Sequence, residues 1–98
     1  MDLEALSDFN LVATHGGFGR AARVTGRSKA TLSRHVAELE LSLGVRLIER
    51  GSLSLRLTDE GRALRDRTDG LLSEIAEAGA LLTRLAGGRQ RLKQCVAI

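Results

Sequence analysis

Proline, tryptophan and tyrosine are absent from this 98-residue chain, and phenylalanine occurs only twice. Without proline, no helix need be broken by a missing amide donor, and abundant Leu, Ala, Arg and Glu favour helices. The lack of an aromatic ladder argues against a single-strand binder that stacks bases, so Phe9 and Phe18 are read as core residues. Cys95 is the sole cysteine, which leaves no internal disulfide and no second thiol for a metal site. No uncharged stretch approaches the roughly 18–20 apolar residues of a membrane span. The opening Met1-Asp2-Leu3-Glu4 has neither the basic nor the apolar region of a signal peptide, so a cytoplasmic location is expected. A chain this short forms one domain, with or without an extended element, and hides roughly 60–65% of its unfolded surface. Its core is therefore small. The composition, 43% hydrophobic and 28% charged, is that of a folded chain rather than a disordered one.

Acid is missing over one long segment. From Phe9 to Ala37 there is no Asp or Glu, yet Arg20, Arg23, Arg27, Lys29 and Arg34 all fall there. The net charge of +3 is modest, but this segregation reads as a surface for a polyanion, with nucleic acid first. A merely solvated basic face would carry interspersed acids, as the chain beyond residue 57 does.

Periodicity organises the rest. Leu3, Leu6, Phe9, Val12 and their neighbours form one apolar helical stripe, with Asp2 as N-cap and His15-Gly16-Gly17 as the stop. A short helix of roughly Gly19 to Val24 follows, carrying the small residues Ala21 and Ala22. Gly26 marks a turn, and Ser28 caps a helix from Lys29 to about Leu43. Leu32, Val36, Leu39 and Leu43 are its core face, while Lys29, Thr31, Ser33, Arg34 and His35 are donors near its start. Val45 to Arg50 and Leu55 to Leu57, around Gly51 to Ser54, are expected to form a small β-hairpin. Thr58 then caps a long helix, Asp59 to Ala86, whose first turn is acidic. Leu64, Leu71, Ala78 and Leu85 repeat every seven residues, interleaved by Thr68, Ile75 and Leu82. That seam is too long for the small domain to bury. After Gly87-Gly88 the tail is basic, and Leu92 to Ile98 reads as the start of a strand.

Helix, helix, turn, helix, hairpin is the order of a winged helix-turn-helix: mostly α, three helices plus a β-hairpin wing, followed by a long linker or dimerisation helix. The expected boundaries are 1–58 for the DNA-binding domain, 59–88 for the linker helix and 89–98 for a tail. A major groove admits one helix, which should present short or flexible donors at its N-terminal end. The short helix before it can aim its first amides at a phosphate.

Ala21-Ala22, Ser28-Lys29-Ala30-Thr31-Leu32-Ser33-Arg34-His35-Val36, Leu39-Glu40, Leu43 to Arg50 and Leu57-Thr58-x-x-Gly61 stand together in order and spacing. With them the chain resembles the N-terminal region of LysR-type transcriptional regulators, from Met1 to about Ala86. The resemblance implies a bacterial DNA-binding domain that reads an inverted-repeat operator in double-stranded DNA as a homodimer. DNA-binding positions transferred by it are Arg20, Ser28, Lys29, Thr31, Ser33, Arg34, His35, Arg50 and Arg56. The dimer seam would comprise Leu64, Leu71, Ile75, Ala78, Leu82 and Leu85. A small-molecule effector would belong to a further domain not contained in these residues. The chain departs from the family pattern at Lys29, where Gln is usual, at Ala30, and at Thr25 and Arg27, which replace apolar residues. Gly51 to Ser54 is also poor in the basic residues usual at a wing tip.

His15, His35 and the scattered serines form no nucleophile–base–acid set, and no cofactor, metal or catalytic site is expected. The rival reading is a protein-interaction module that pairs through its long helix with a full-length regulator and does not read DNA itself.

Overall fold

The computed structural model describes residues 2–51 and 54–87. The expected hairpin tip at Ser52 and Leu53, the tail 89–98 with its expected strand, and Cys95 lie outside the described residues. Four helices follow in order: α1 (Leu3–His15), α2 (Phe18–Thr25), α3 (Lys29–Leu43) and α4 (Asp59–Gly87). The chain divides into two compact units, which meet in sequence at Thr68 and Asp69. The first unit thus includes the opening turns of α4, as far as Thr68.

α1, α3 and α4 begin where a side chain can replace a missing backbone acceptor. Asp2 Oδ1 accepts from the Glu4 amide at 3.2 Å, and Ser28 Oγ accepts from the Thr31 amide at 3.4 Å. Thr58 Oγ1 accepts from the Gly61 amide at 3.0 Å and donates to the Arg46 carbonyl at 2.6 Å, joining α4 to the preceding segment. Gly26 and Gly44 end α2 and α3 with φ of 76° and 73°, a left-handed conformation that a Cβ disfavours.

The core of the first unit is the meeting of α1, α2 and α3. Ala5, Leu6, Phe9 and Val12 from α1 meet Ala21 from α2 and Leu32, Val36 and Leu39 from α3, with Leu47 and Ile48 closing the edge. Two expectations shift. Phe18 is only half-buried, and Leu43 is 38% exposed, because Glu40 takes the last inward position of α3.

The wing is reduced relative to the expected β-hairpin. Among the described residues there is no strand, only an isolated antiparallel bridge between Ile48 and Leu57. The bridge is held by the Glu49 amide donating to the Arg56 carbonyl at 2.8 Å and the Thr58 amide donating to the Leu47 carbonyl at 3.0 Å. A single bridge is too little for an independent ladder, so attachment to the helices must hold this segment.

α4 runs unbroken through Gly70 and Gly79. In the first unit Thr68 Oγ1 accepts from Asn10 Nδ2 at 3.1 Å, and Leu64 is half-buried. Within the second unit Leu71, Ile75, Leu82 and Leu85 are all exposed.

Gly61, in the first turn of α4, is buried, and a Cβ there would lie far inside van der Waals contact with the Leu47 carbonyl oxygen. Backbone cannot yield as a flexible side chain would. Gly61→Ala is therefore expected to cost about 1–3 kcal/mol, as overpacking does, and to lower the thermal midpoint followed by circular dichroism; an unchanged midpoint would mean α4 can sit further from the wing.

Candidate nucleic-acid interface

α3 turns its apolar stripe inward, so the residues between the stripe positions face water. Lys29, Ser33 and Arg34 are exposed along the N-terminal half of the helix, with Ser28 exposed at the cap and Thr31 half-buried. Arg20 is exposed in the first turn of α2, and Arg56 is exposed in the wing. Arg20, Lys29, Arg34 and Arg56 have no acidic partner among the described residues.

α2 starts at Gly17 without a side-chain cap, so its first amides lack a side-chain acceptor. Beside that start lies a shallow cleft lined by Gly17, Gly19, Lys29, Arg50 and Ser54, with Glu49 as its one acid. Backbone donors, a lysine and an arginine thus border one open surface. This is the chemistry of a phosphate-binding edge.

Three of the basic or polar residues read from sequence as surface donors are engaged elsewhere. His35 is buried, 9% exposed, and its Nδ1 bonds Asp8 Oδ2 rather than facing outward. The reason is positional: His35 lies three residues after Leu32 and four before Leu39, within the inward stripe of α3. Arg27, counted in the acid-free basic segment, donates through Nη1 to both carboxylate oxygens of Asp8 at 2.6 and 2.7 Å. Its charge is thereby matched by an acid from α1. Thr25 and Arg27, the two departures from an apolar pattern, form one turn: Thr25 Oγ1 donates to the Ala21 carbonyl at 2.7 Å and accepts from the Arg27 amide at 3.2 Å.

Arg50 is the third. Its Nη2 donates to Glu40 Oε1 at 2.7 Å, while Glu40 Oε2 accepts from the Leu47 and Ile48 amides at 2.7 and 3.3 Å. One buried carboxylate at the end of α3 therefore fixes the backbone of the wing and one of its arginines. Half of the Arg50 side chain stays exposed, 51%, and the residue also lines the cleft. Sequence reasoning passed over Asp8, and it quoted Glu40 only as part of the family resemblance, without a structural role. The available signal was an acid standing at a stripe position, Asp8 between Ala5 and Val12, and Glu40 beside Leu39.

Comparison with known proteins places this geometry. Residues 3–62 match the family of bacterial regulatory helix-turn-helix proteins of the lysR type. An HTH-type transcriptional repressor of Pseudomonas aeruginosa is 39% identical over 99 residues, covering 98% of this chain and 31% of that protein. The HTH-type transcriptional activator BauR of the same species is 36% identical over 90 residues, covering 88% of this chain and 30% of its own length. The chain spans about a third of the length of these curated relatives. Among solved structures, the BenM DNA-binding domain in complex with catB site 1 DNA superposes with a TM-score of 0.79 at 32% identity, covering 88% of this chain and 97% of that one. The full-length Vibrio cholerae virulence activator AphB gives a TM-score of 0.79 at 31% identity, over 85% of this chain and 29% of that one.

Glu40→Ala leaves the Leu47 and Ile48 amides without their acceptor and is expected to cost about 2–4 kcal/mol in urea denaturation. Glu40→Gln keeps one carbonyl oxygen for those amides and should lose less. Equal stability of the alanine variant and the parent would show that the wing is held by its apolar residues alone.

Proposed function

Because the chain belongs to the lysR family of bacterial regulatory helix-turn-helix proteins and carries the DNA-binding domain of a transcriptional regulator, we propose that it reads an inverted-repeat operator as a homodimer with α3 in the major groove. The observation that carries this reading is the exposed donor face of Lys29, Ser33 and Arg34, whose two cations form no ion pair among the described residues, with Lys29 lining the same cleft as the uncapped start of α2. Lys29 and Arg34 are the base or phosphate readers. Ser28, Ser33 and Thr31 supply short donors, and Arg20, with the first amides of α2, takes a backbone phosphate. Arg50 and Arg56 flank the groove from the wing. His35 has no direct role in this scheme, since its imidazole is turned to Asp8.

Dimerisation is assigned to α4. Leu71, Ile75, Ala78, Leu82 and Leu85 follow one another at steps of four, three, four and three, and all are exposed within the second unit. A seam of this period is covered when a second helix winds on it. Leu64, at the head of the same register, is half-buried within the first unit and contributes less. Two-fold symmetry then requires half-sites about one DNA turn, ~34 Å, or a multiple apart. The effector of such a regulator would lie in a domain beyond these residues, and the protein would act in the cytoplasm. No cofactor enters the scheme.

Selection of the purified chain against a random pool of duplexes tests the whole reading. Enrichment of an inverted repeat is expected. Retention of duplexes without enrichment would leave an electrostatic binder, and an interaction module that pairs with a full-length regulator would take first place. On the selected duplex Arg34→Ala should weaken binding by on the order of 1–3 kcal/mol and relax preference at one position if Arg34 meets a base; uniform loss across sequences would make it a phosphate contact.

The seam has its own test in sedimentation. The parent should sediment as a dimer at micromolar concentration, and Leu71→Glu with Leu82→Glu should yield monomers whose affinity for the full repeat falls by about tenfold or more. A monomeric parent would end the α4 assignment.

A further inference from the structure

Asp8 stands in the apolar stripe of α1, with Ala5 three residues before it and Val12 four after, and its side chain is only 1% exposed. A carboxylate so placed is stable only when it is paired and hydrogen-bonded. Both partners come from the segment that presents the donor face. Arg27, immediately before the α3 cap, donates to both carboxylate oxygens, and His35, in the middle of α3, bonds Oδ2 through Nδ1. Arg27 Nη2 also approaches Glu4 Oε2 at 3.4 Å, one turn earlier on α1. Phe9 and Val12 of α1 and Leu32 and Val36 of α3 are buried apolar residues of the same core.

Apolar contact is non-directional and tolerates small rotations and slides of one helix on another. A carboxylate shared between a guanidinium and an imidazole does not, because each bond has a preferred line. Reading base edges requires side chains held to about 0.5 Å. We propose that Asp8 is a positioning residue for DNA reading: its carboxylate, joined to Arg27 and His35, sets the rotation of α3 about its axis and so aims Lys29 and Arg34. This rests on the reading of α3 as the groove helix. Asp8 is not itself a DNA contact, since it is buried and its charge opposes phosphate.

The effect has a signature distinct from simple loss of fold. Unfolding lowers binding to every duplex, whereas misaiming lowers only the preference for the right one, because non-specific binding follows charge. Removing the Asp8 charge should leave non-specific binding unchanged or slightly stronger. The experiment measures dissociation constants for the selected duplex and for a scrambled duplex at one salt concentration, using the full chain, with helix content and thermal midpoint recorded for each variant. Asp8→Asn and His35→Leu are expected to reduce the ratio of the two constants by about tenfold, comparable to a mismatched base pair. His35→Gln, which retains a donor toward Asp8, is expected to restore most of the ratio. Folded Asp8→Asn and His35→Leu variants that keep the parent ratio within about twofold would overturn the proposal. If Asp8→Asn is unfolded, the His35→Leu and His35→Gln pair decides alone, since Arg27 still satisfies Asp8 there. An unchanged ratio in both Lys29→Ala and Arg34→Ala would instead overturn the groove-helix reading, and the positioning role with it.

Discussion

A carboxylate cannot be buried among apolar side chains unless donors come to it, and in this fold that constraint is met twice, at each end of α3. Asp8 draws Arg27 and His35 onto α1, while Glu40 draws the Leu47 and Ile48 amides and Arg50 onto the end of α3. The apolar core fixes which faces are inside. The two acids fix how the helix is turned and where the wing is attached. The ten buried apolar residues among the described residues supply cohesion but little directional information. Removing Asp8 would leave the buried His35 without its partner, and removing Glu40 would leave the Leu47 and Ile48 amides without theirs, which costs more than the net worth of the bonds themselves.

The same arrangement explains the surface. With Arg27 and His35 engaged inward, the acid-free segment is less uniformly a polyanion surface than its composition indicates. What remains outward is narrower: Arg20, Arg23, Lys29, Ser33 and Arg34, beside an uncapped helix start. That narrowing sharpens the functional reading. A diffuse basic patch serves non-specific attraction, whereas a few donors on one face of a fixed helix can distinguish bases. The relation to the lysR family rests on residues 3–62 and on superposition with domains of the same kind, independently of these side-chain details.

Local features were legible in the sequence. Asp2, Ser28 and Thr58 were recognisable as caps because each bonds an amide two or three residues ahead, within the reach of a local pattern. The stripe of α3 at Leu32, Val36 and Leu39 and the long register of α4 followed from period alone. The inward turn of His35 was not read, although its spacing from Leu32 and Leu39 contained it. Its residue type pointed to a surface donor, and type outweighed position. The Asp8 network joins residues 19 and 27 positions apart, so no window of local periodicity holds both ends. The wing was legible only in part: alternation over a few residues is compatible with strands, and among the described residues it forms one antiparallel bridge, Ile48 with Leu57.

Thr25 and Arg27 show what a departure from an apolar pattern means physically. Each polar side chain in a turn that others fill with hydrocarbon must find partners or be expelled. Here the Thr25 hydroxyl closes on the Ala21 carbonyl and the Arg27 amide, and the Arg27 guanidinium reaches Asp8. The substitutions therefore stand or fall as a set. An apolar residue at position 27 would leave Asp8 with His35 alone, and an apolar residue at position 8 would leave Arg27 only the distant Glu4 contact. Exchange of both for hydrocarbon could be neutral or favourable for stability, because well-packed apolar side chains often match a buried ion pair. What hydrocarbon would not reproduce is direction. The chain thus carries, at the hinge of its helix-turn-helix, an interaction whose worth lies less in holding α3 down than in deciding which way it faces.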